Sequence, residues 1–186
     1  MGNPQRVPPI TDLYQRTTGG VGRAKLVSLK PGLATYGCAC ELTRRASRTV
    51  TQLYDLVLAP TKLKASQFIL LRSIAEAEEI AQCEISKTLS VAVETLTRRL
   101  ATMRKAGWVQ LRMGADRRER LYSITDLGRE QLKAAQPYWN RAEQRLREQL
   151  GPESWQQTQA CLVRLGDAAL LSLSARRKNT IAQNRL

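Results

Sequence analysis

Apolar residues recur along this chain at two different periods, and each change of period marks a new element. From Cys38 to Leu58, the residues Leu42, Ala46, Val50, Leu53 and Val57 fall on one helical stripe, with Arg44, Arg45 and Arg48 largely outside it. Pro60 ends that pattern. Ala65 to Glu78 repeats the spacing through Phe68, Leu71, Ile74 and Ala75 and predicts a second helix. A short third helix is expected over Ala81 to Leu89, with Ile85 and Leu89 inward, and Ser90 and Val91 turn into a fourth. There Leu96, Leu100 and Met103 make a narrow buried stripe, while Glu94, Thr95, Thr97, Arg98 and Arg99 lie on or beside the other side. Gly107 follows Arg104 and Lys105, giving a basic last turn and a glycine stop.

The period then falls to two. Val109 and Leu111 alternate with Gln110 and Arg112, and Tyr122 and Ile124 alternate with Ser123 on the return strand. Between them Met113, Gly114, Ala115, Asp116, Arg117 and Arg118 form a polar, basic tip. Two helices joined by a tight turn, the second carrying polar and basic residues outward and leading into a basic hairpin, follow the winged helix-turn-helix plan. Thr125 is a credible N-cap, and Leu132, Ala135, Trp139, Ala142 and Leu146 carry a helix on to Leu150, with Pro137 expected to kink it. Gly151-Pro152 opens a last helix to about Leu173, expected to bury Trp155, Leu162, Leu165, Ala169 and Leu173. Its other side is apolar as well, and a second subunit is the simplest cover.

The fold class is therefore mainly α with a small β-hairpin wing. The expected organisation is a flexible basic N-terminal extension over 1–37, rich in proline and glycine, then a first helix over 38–60. A winged helix-turn-helix unit over 61–125, C-terminal helices over 126–173 and a basic frayed tail over 174–186 complete it.

Charge narrows the partners. Among 186 residues, 30 Lys and Arg stand against 16 Asp and Glu, a net charge of +14. Such an excess favours nucleic acid first and an anionic membrane surface second. No run is long enough to span a bilayer and the N-terminus has no secretory apolar core, so a cytoplasmic location with no membrane partner is expected. The four cysteines are too sparse for a disulfide scaffold and suit a reducing compartment. Histidine is absent, which excludes Ser-His-Asp and Cys-His nucleophilic sites and any His-containing zinc site. With no glycine-rich phosphate loop and no Cys-x-x-Cys either, enzyme chemistry has no foothold.

In sequence order, Gln67-Phe68-Ile69-Leu70-Leu71, then Leu89 to Arg98, then Gly107-Trp108-Val109, Asp116-Arg117-Arg118 and Ser123-Ile124-Thr125-Asp126-Leu127-Gly128 resemble the multiple-antibiotic-resistance regulator (MarR) family. The similarity runs from about Cys38 to Leu173. It departs from the family at Ala92, where an acidic cap is common and where Ser90 is expected to cap instead. It departs again at Glu94, where a small hydroxyl residue is common.

The resemblance implies a homodimer, formed by the first and last two helices, that sets two recognition helices on a near-palindromic double-stranded DNA operator. The DNA-facing set is then Val93, Glu94, Thr95, Thr97 and Arg98 on the helix, with Arg112, Asp116, Arg117, Arg118 and Arg120 on the wing. Arg118 is implied to enter the minor groove with Asp116 bracing it. Arg112, Arg117 and Arg120 either contact phosphates or are solvated charges. Arg98 can bridge a guanine edge or a phosphate, and Thr95 and Thr97 either meet the groove or form a plain helix surface. Glu94 accepts from cytosine N4 or is a tolerated surface charge.

Many members of the family are repressors released by a small-molecule effector or an oxidant. Here Cys38 and Cys40, together with Cys161, could supply thiolates for a metal, an iron–sulfur cluster or an oxidation switch. The competing reading makes them small buried hydrophobes with no cofactor, and Cys83 and Cys161 in particular are expected to be structural. A sequence-specific regulator is the reading expected. A non-specific basic architectural protein is the competing class.

Overall fold

The computed structural model describes the backbone of residues 38–116 and 119–183, and side chains as far as residue 174. The extension expected over 1–37, and Arg117 and Arg118 at the wing tip, lie outside the described residues. The chain divides between Ala142 and Glu143 into two compact units.

The first unit begins with helix α1 (Ala39–Leu58), which a 3-10 turn (Ala59–Thr61) closes, and continues with α2 (Ala65–Ala77). Strand β1 (Glu79–Ala81), α3 (Gln82–Thr88) and α4 (Val93–Lys105) follow, then β2 (Val109–Met113) and β3 (Arg120–Ile124). Helix α5 (Asp126–Leu150) runs through Pro137, and α6 (Pro152–Gln183) ends the described chain. Among the described residues no helix is long and apolar enough to cross a membrane.

The core lies where α2, α3 and α4 meet the sheet, and it collects Leu70, Leu71, Ile74, Ile85, Leu96, Leu100, Met103, Val109, Tyr122 and Ile124. A second apolar contact stacks Trp139 on Phe68, with ring centroids 4.3 Å apart, and sets Tyr54 at a tilt 4.4 Å away. Burial of Leu96, Leu100 and Met103 fixes which side of α4 faces out.

Several expectations need correction. Three residues expected in helix or connection, Glu79 to Ala81, form a strand that pairs antiparallel with β3 in a sheet of order β1-β3-β2. Alternation cannot show in three residues; pairing to β3 makes this segment a strand. As a result α2 and α3 are each shorter than read. Ser90 does not cap α4. It sits in the turn at φ +49°, and Ala92 occupies the N-cap with no side-chain bond. The turn is closed by Ser86 instead, whose hydroxyl donates to the Val91 carbonyl at 2.8 Å.

On α6, Leu162, Leu165, Ala169 and Leu173 are exposed, although burial was expected, and only Trp155 of that set is half-buried. Leu171 is 70% exposed. A helix apolar on more than one side finds no cover within its own unit. Leu42 and Val50 on α1 are likewise exposed. The tail expected to fray from Ser174 continues as helix to Gln183, since neither glycine nor proline interrupts it.

Candidate nucleic-acid interface

Helix α4 presents Val93, Glu94, Thr95 and Arg98 to solvent, with Val93 50% exposed. Thr97 is different. Its hydroxyl donates to the Val93 carbonyl at 2.7 Å and accepts from Gln82 Nε2 at 2.7 Å. Gln82, only 8% exposed, thereby ties the start of α3 to α4. The single hydroxyl proton of Thr97 is committed inside the protein, so one lone pair is all it offers outward.

The far end of α4 is held as firmly. Gly107 takes φ +77°, and the N–H groups of Gly107 and Trp108 donate to the carbonyls of Arg104 and Met103, each at 3.0 Å. That is a Schellman stop, which only glycine enters without strain. Thr125 closes the other side of the wing. Its N–H donates to the Trp108 carbonyl at 3.1 Å and its hydroxyl to the Gly107 carbonyl at 2.6 Å, while Gly128 N–H donates to that hydroxyl at 3.0 Å. One threonine thus caps α5 and pins the exit of the recognition helix to the exit of the hairpin.

At the wing, Gly114 N–H donates to the Glu119 carbonyl at 2.9 Å, and Glu119 N–H to the Asp116 carbonyl at 2.8 Å. Asp116 and Arg120 are exposed. The bracing of Arg118 by Asp116 falls outside the described residues, as does Arg117. Arg112 is engaged rather than free: its Nε donates to Glu79 Oε1 at 3.1 Å and its Nη2 to Glu79 Oε2. These hydrogen bonds hold the Glu79 carboxyl below its ordinary range and raise Arg112 above its own. Stability from the pair is therefore present above the ordinary glutamate range and is lost as pH falls through the lower, folded-state value.

Between α4 and the wing runs an open groove of roughly 510 Å³, lined by Gln82, Cys83, Val93, Thr97, Met113 and Arg120 among others. Sequence reasoning missed Glu79, Gln82 and Cys83. The first two act through the unrecognised strand and the helix start beside it. All four cysteines are free and exposed. In the isolated chain this overturns their reading as buried hydrophobes, Cys83 and Cys161 included. Cys38 is extended just before α1 and Cys40 lies in its first turn. Among the described residues no three Cys, Asp or Glu side chains gather where they could hold a metal ion.

Residues 63–119 match the model of the MarR family. The chain is similar to the M. tuberculosis transcriptional regulator MosR, solved in complex with DNA. Identity is 34%, coverage 72% of this chain and 96% of that one, and the TM-score 0.66. The chain belongs to the MarR family. A mutant of E. coli MarR complexed with operator DNA is similar at 26% identity, with 67% and 90% coverage and a TM-score of 0.63. An uncharacterized HTH-type transcriptional regulator of Bacillus subtilis, YwoH, is 32% identical over 81 residues, a match spanning 44% of this chain and 59% of that relative. This MarR-family chain is thus a winged helix-turn-helix, DNA-binding transcriptional regulator and not an enzyme. Its α4 is the recognition helix of that fold, and its β2–β3 hairpin is the wing.

Proposed function

We propose that this MarR-family regulator acts in the cytoplasm as a homodimer that represses transcription from a near-palindromic operator and is released by a chemical signal. The observation that carries the reading is the sidedness of α4. Leu96, Leu100 and Met103 are consumed by the core, while Val93, Glu94, Thr95 and Arg98 stand exposed beside a basic wing. Val93 suits a thymine methyl and Arg98 a guanine edge or phosphate. Thr97 serves chiefly to orient the helix. Arg118, by resemblance, reads the minor groove and Arg120 the phosphates. The basic excess supplies the non-specific attraction on which such reading is built.

The exposed thiols Cys38 and Cys40 support an oxidant, or a metal or iron–sulfur cluster held by thiolates from both subunits, as the signal. A small-molecule effector is the other form that signal can take. Both bias an equilibrium between DNA-competent and incompetent dimers.

The test is a gel shift on genomic fragments against excess random DNA, with and without peroxide, for the wild type and Cys40→Ser. One fragment retained against competitor, lost on oxidation in the wild type and kept in Cys40→Ser, is expected. Equal competition by random DNA would mean an architectural protein instead. Binding indifferent to oxidant would remove the thiols from the account.

A further inference from the structure

Residues in register across a sheet share a face. Glu79, Ser123 and Gln110 form one such row, and Ala81, Leu121 and Arg112 form the next, on the side turned away from core residues Tyr122 and Ile124. Arg112 on β2 therefore reaches Glu79 by crossing the middle strand diagonally, a backbone span of roughly 12 Å from two strand spacings of about 4.8 Å and two residues of about 3.3 Å along the strand. Both ends remain in solvent, with side-chain exposures of 63% and 39%. A pair so exposed adds little to stability. Its effect is on where one cation points.

That cation is one residue along β2 from the DNA-facing groove, which Met113 and its β3 partner Arg120 line, and the alternation of the strand turns the Arg112 side chain to the other face of the sheet. We propose that Glu79 restrains DNA affinity by holding the Arg112 guanidinium away from the phosphate backbone. A guanidinium already forked onto a carboxylate displaces few counterions when a duplex approaches, and the same group set free would displace about one. The carboxylate stays ionised at neutral pH because Arg112 itself favours the charged form. Glu119 adds a weaker attraction to the same guanidinium. Glu79 is thus a positioning residue: it tunes affinity through Arg112 without touching DNA. For a repressor that must let go on signal, a muted contact keeps binding within reach of release.

This inference rests on the proposed docking of the groove face on DNA, and its test separates the two. Binding to the selected operator fragment is followed by fluorescence anisotropy from about 0.05 to 0.3 M salt, for the wild type, Glu79→Gln, Arg112→Ala and the double variant. Glu79→Gln is expected to bind roughly three- to ten-fold tighter at the low end, with a salt slope steeper by about one per bound subunit. Arg112→Ala should leave the wild-type slope nearly unchanged, and the double variant should match Arg112→Ala. An equal gain from Glu79→Gln in both backgrounds would reduce the effect to the loss of one negative charge and overturn the proposal. So would no gain at all, or weaker binding with a lowered melting temperature, which would make the pair a brace for the wing. Glu79→Ala, which removes every hydrogen bond to Arg112, must reproduce the Glu79→Gln result. If the wild type itself shows no preference for any fragment, the docking reading fails first and this inference with it.

Discussion

Single residues explain why the most recognisable stretch of this chain is the exit of the wing. A Cβ placed on Gly128 would fall inside the Trp108 carbonyl oxygen and press on Ile124 Cγ1 at 2.8 Å. Here glycine is required by the closeness of two backbones, not by an unusual φ. Gly128→Ala is expected to cost about 1–3 kcal/mol, the usual range for overpacking. Urea unfolding should show it as a lower midpoint with an unchanged slope; an unchanged midpoint would mean that the close approach is relieved at no cost. The Gly107, Thr125 and Gly128 pattern was legible in the sequence because each residue type has one local task. Thr97 was legible only as a polar position on the outer side of a helix. Its pairing with Gln82, fifteen residues earlier, depends on how two helices meet, which no local pattern encodes.

At the scale of elements, the helices with one apolar stripe were placed to within a few residues, because burial against the core follows directly from the stripe. Strand β1 was not, since three residues carry no period and the segment owes its form to β3. Helix α6 shows the opposite case: its apolar content was seen, yet the burial expected from it is missing within its own unit. Leu170 and Leu173 are 59% and 61% exposed. At about 1.5–3 kcal/mol for a leucine taken fully out of water, covering the exposed part of these two side chains from each of two subunits would supply roughly 4–7 kcal/mol to a shared interface. Leu170→Glu combined with Leu173→Glu is therefore expected to halve the mass measured by light scattering while leaving the helical circular dichroism of the winged unit in place. A variant that keeps the wild-type mass would move the subunit contact elsewhere.

For the molecule as a whole, a net charge of +14 and an outward-facing polar helix meet in one use, a regulator laid along DNA. Charge alone admitted a non-specific binder. The proposal of two copies reading two half-sites rests on the combination of recognition helix, wing and exposed apolar helix faces. Family membership was legible in the order of the motifs. The signal was not, because a thiol pair at the start of a helix looks the same in a sensor and in a bystander.

Hydroxyl-radical footprinting on the operator fragment tests the central claim most directly, since it reports both the number of reading heads and their spacing. The account predicts two protected half-sites related by a two-fold axis, their centres one helical turn or about 34 Å apart, each flanked by minor-groove protection that Arg118→Ala removes. A single protected half-site, or uniform protection that slides along the fragment, would contradict it.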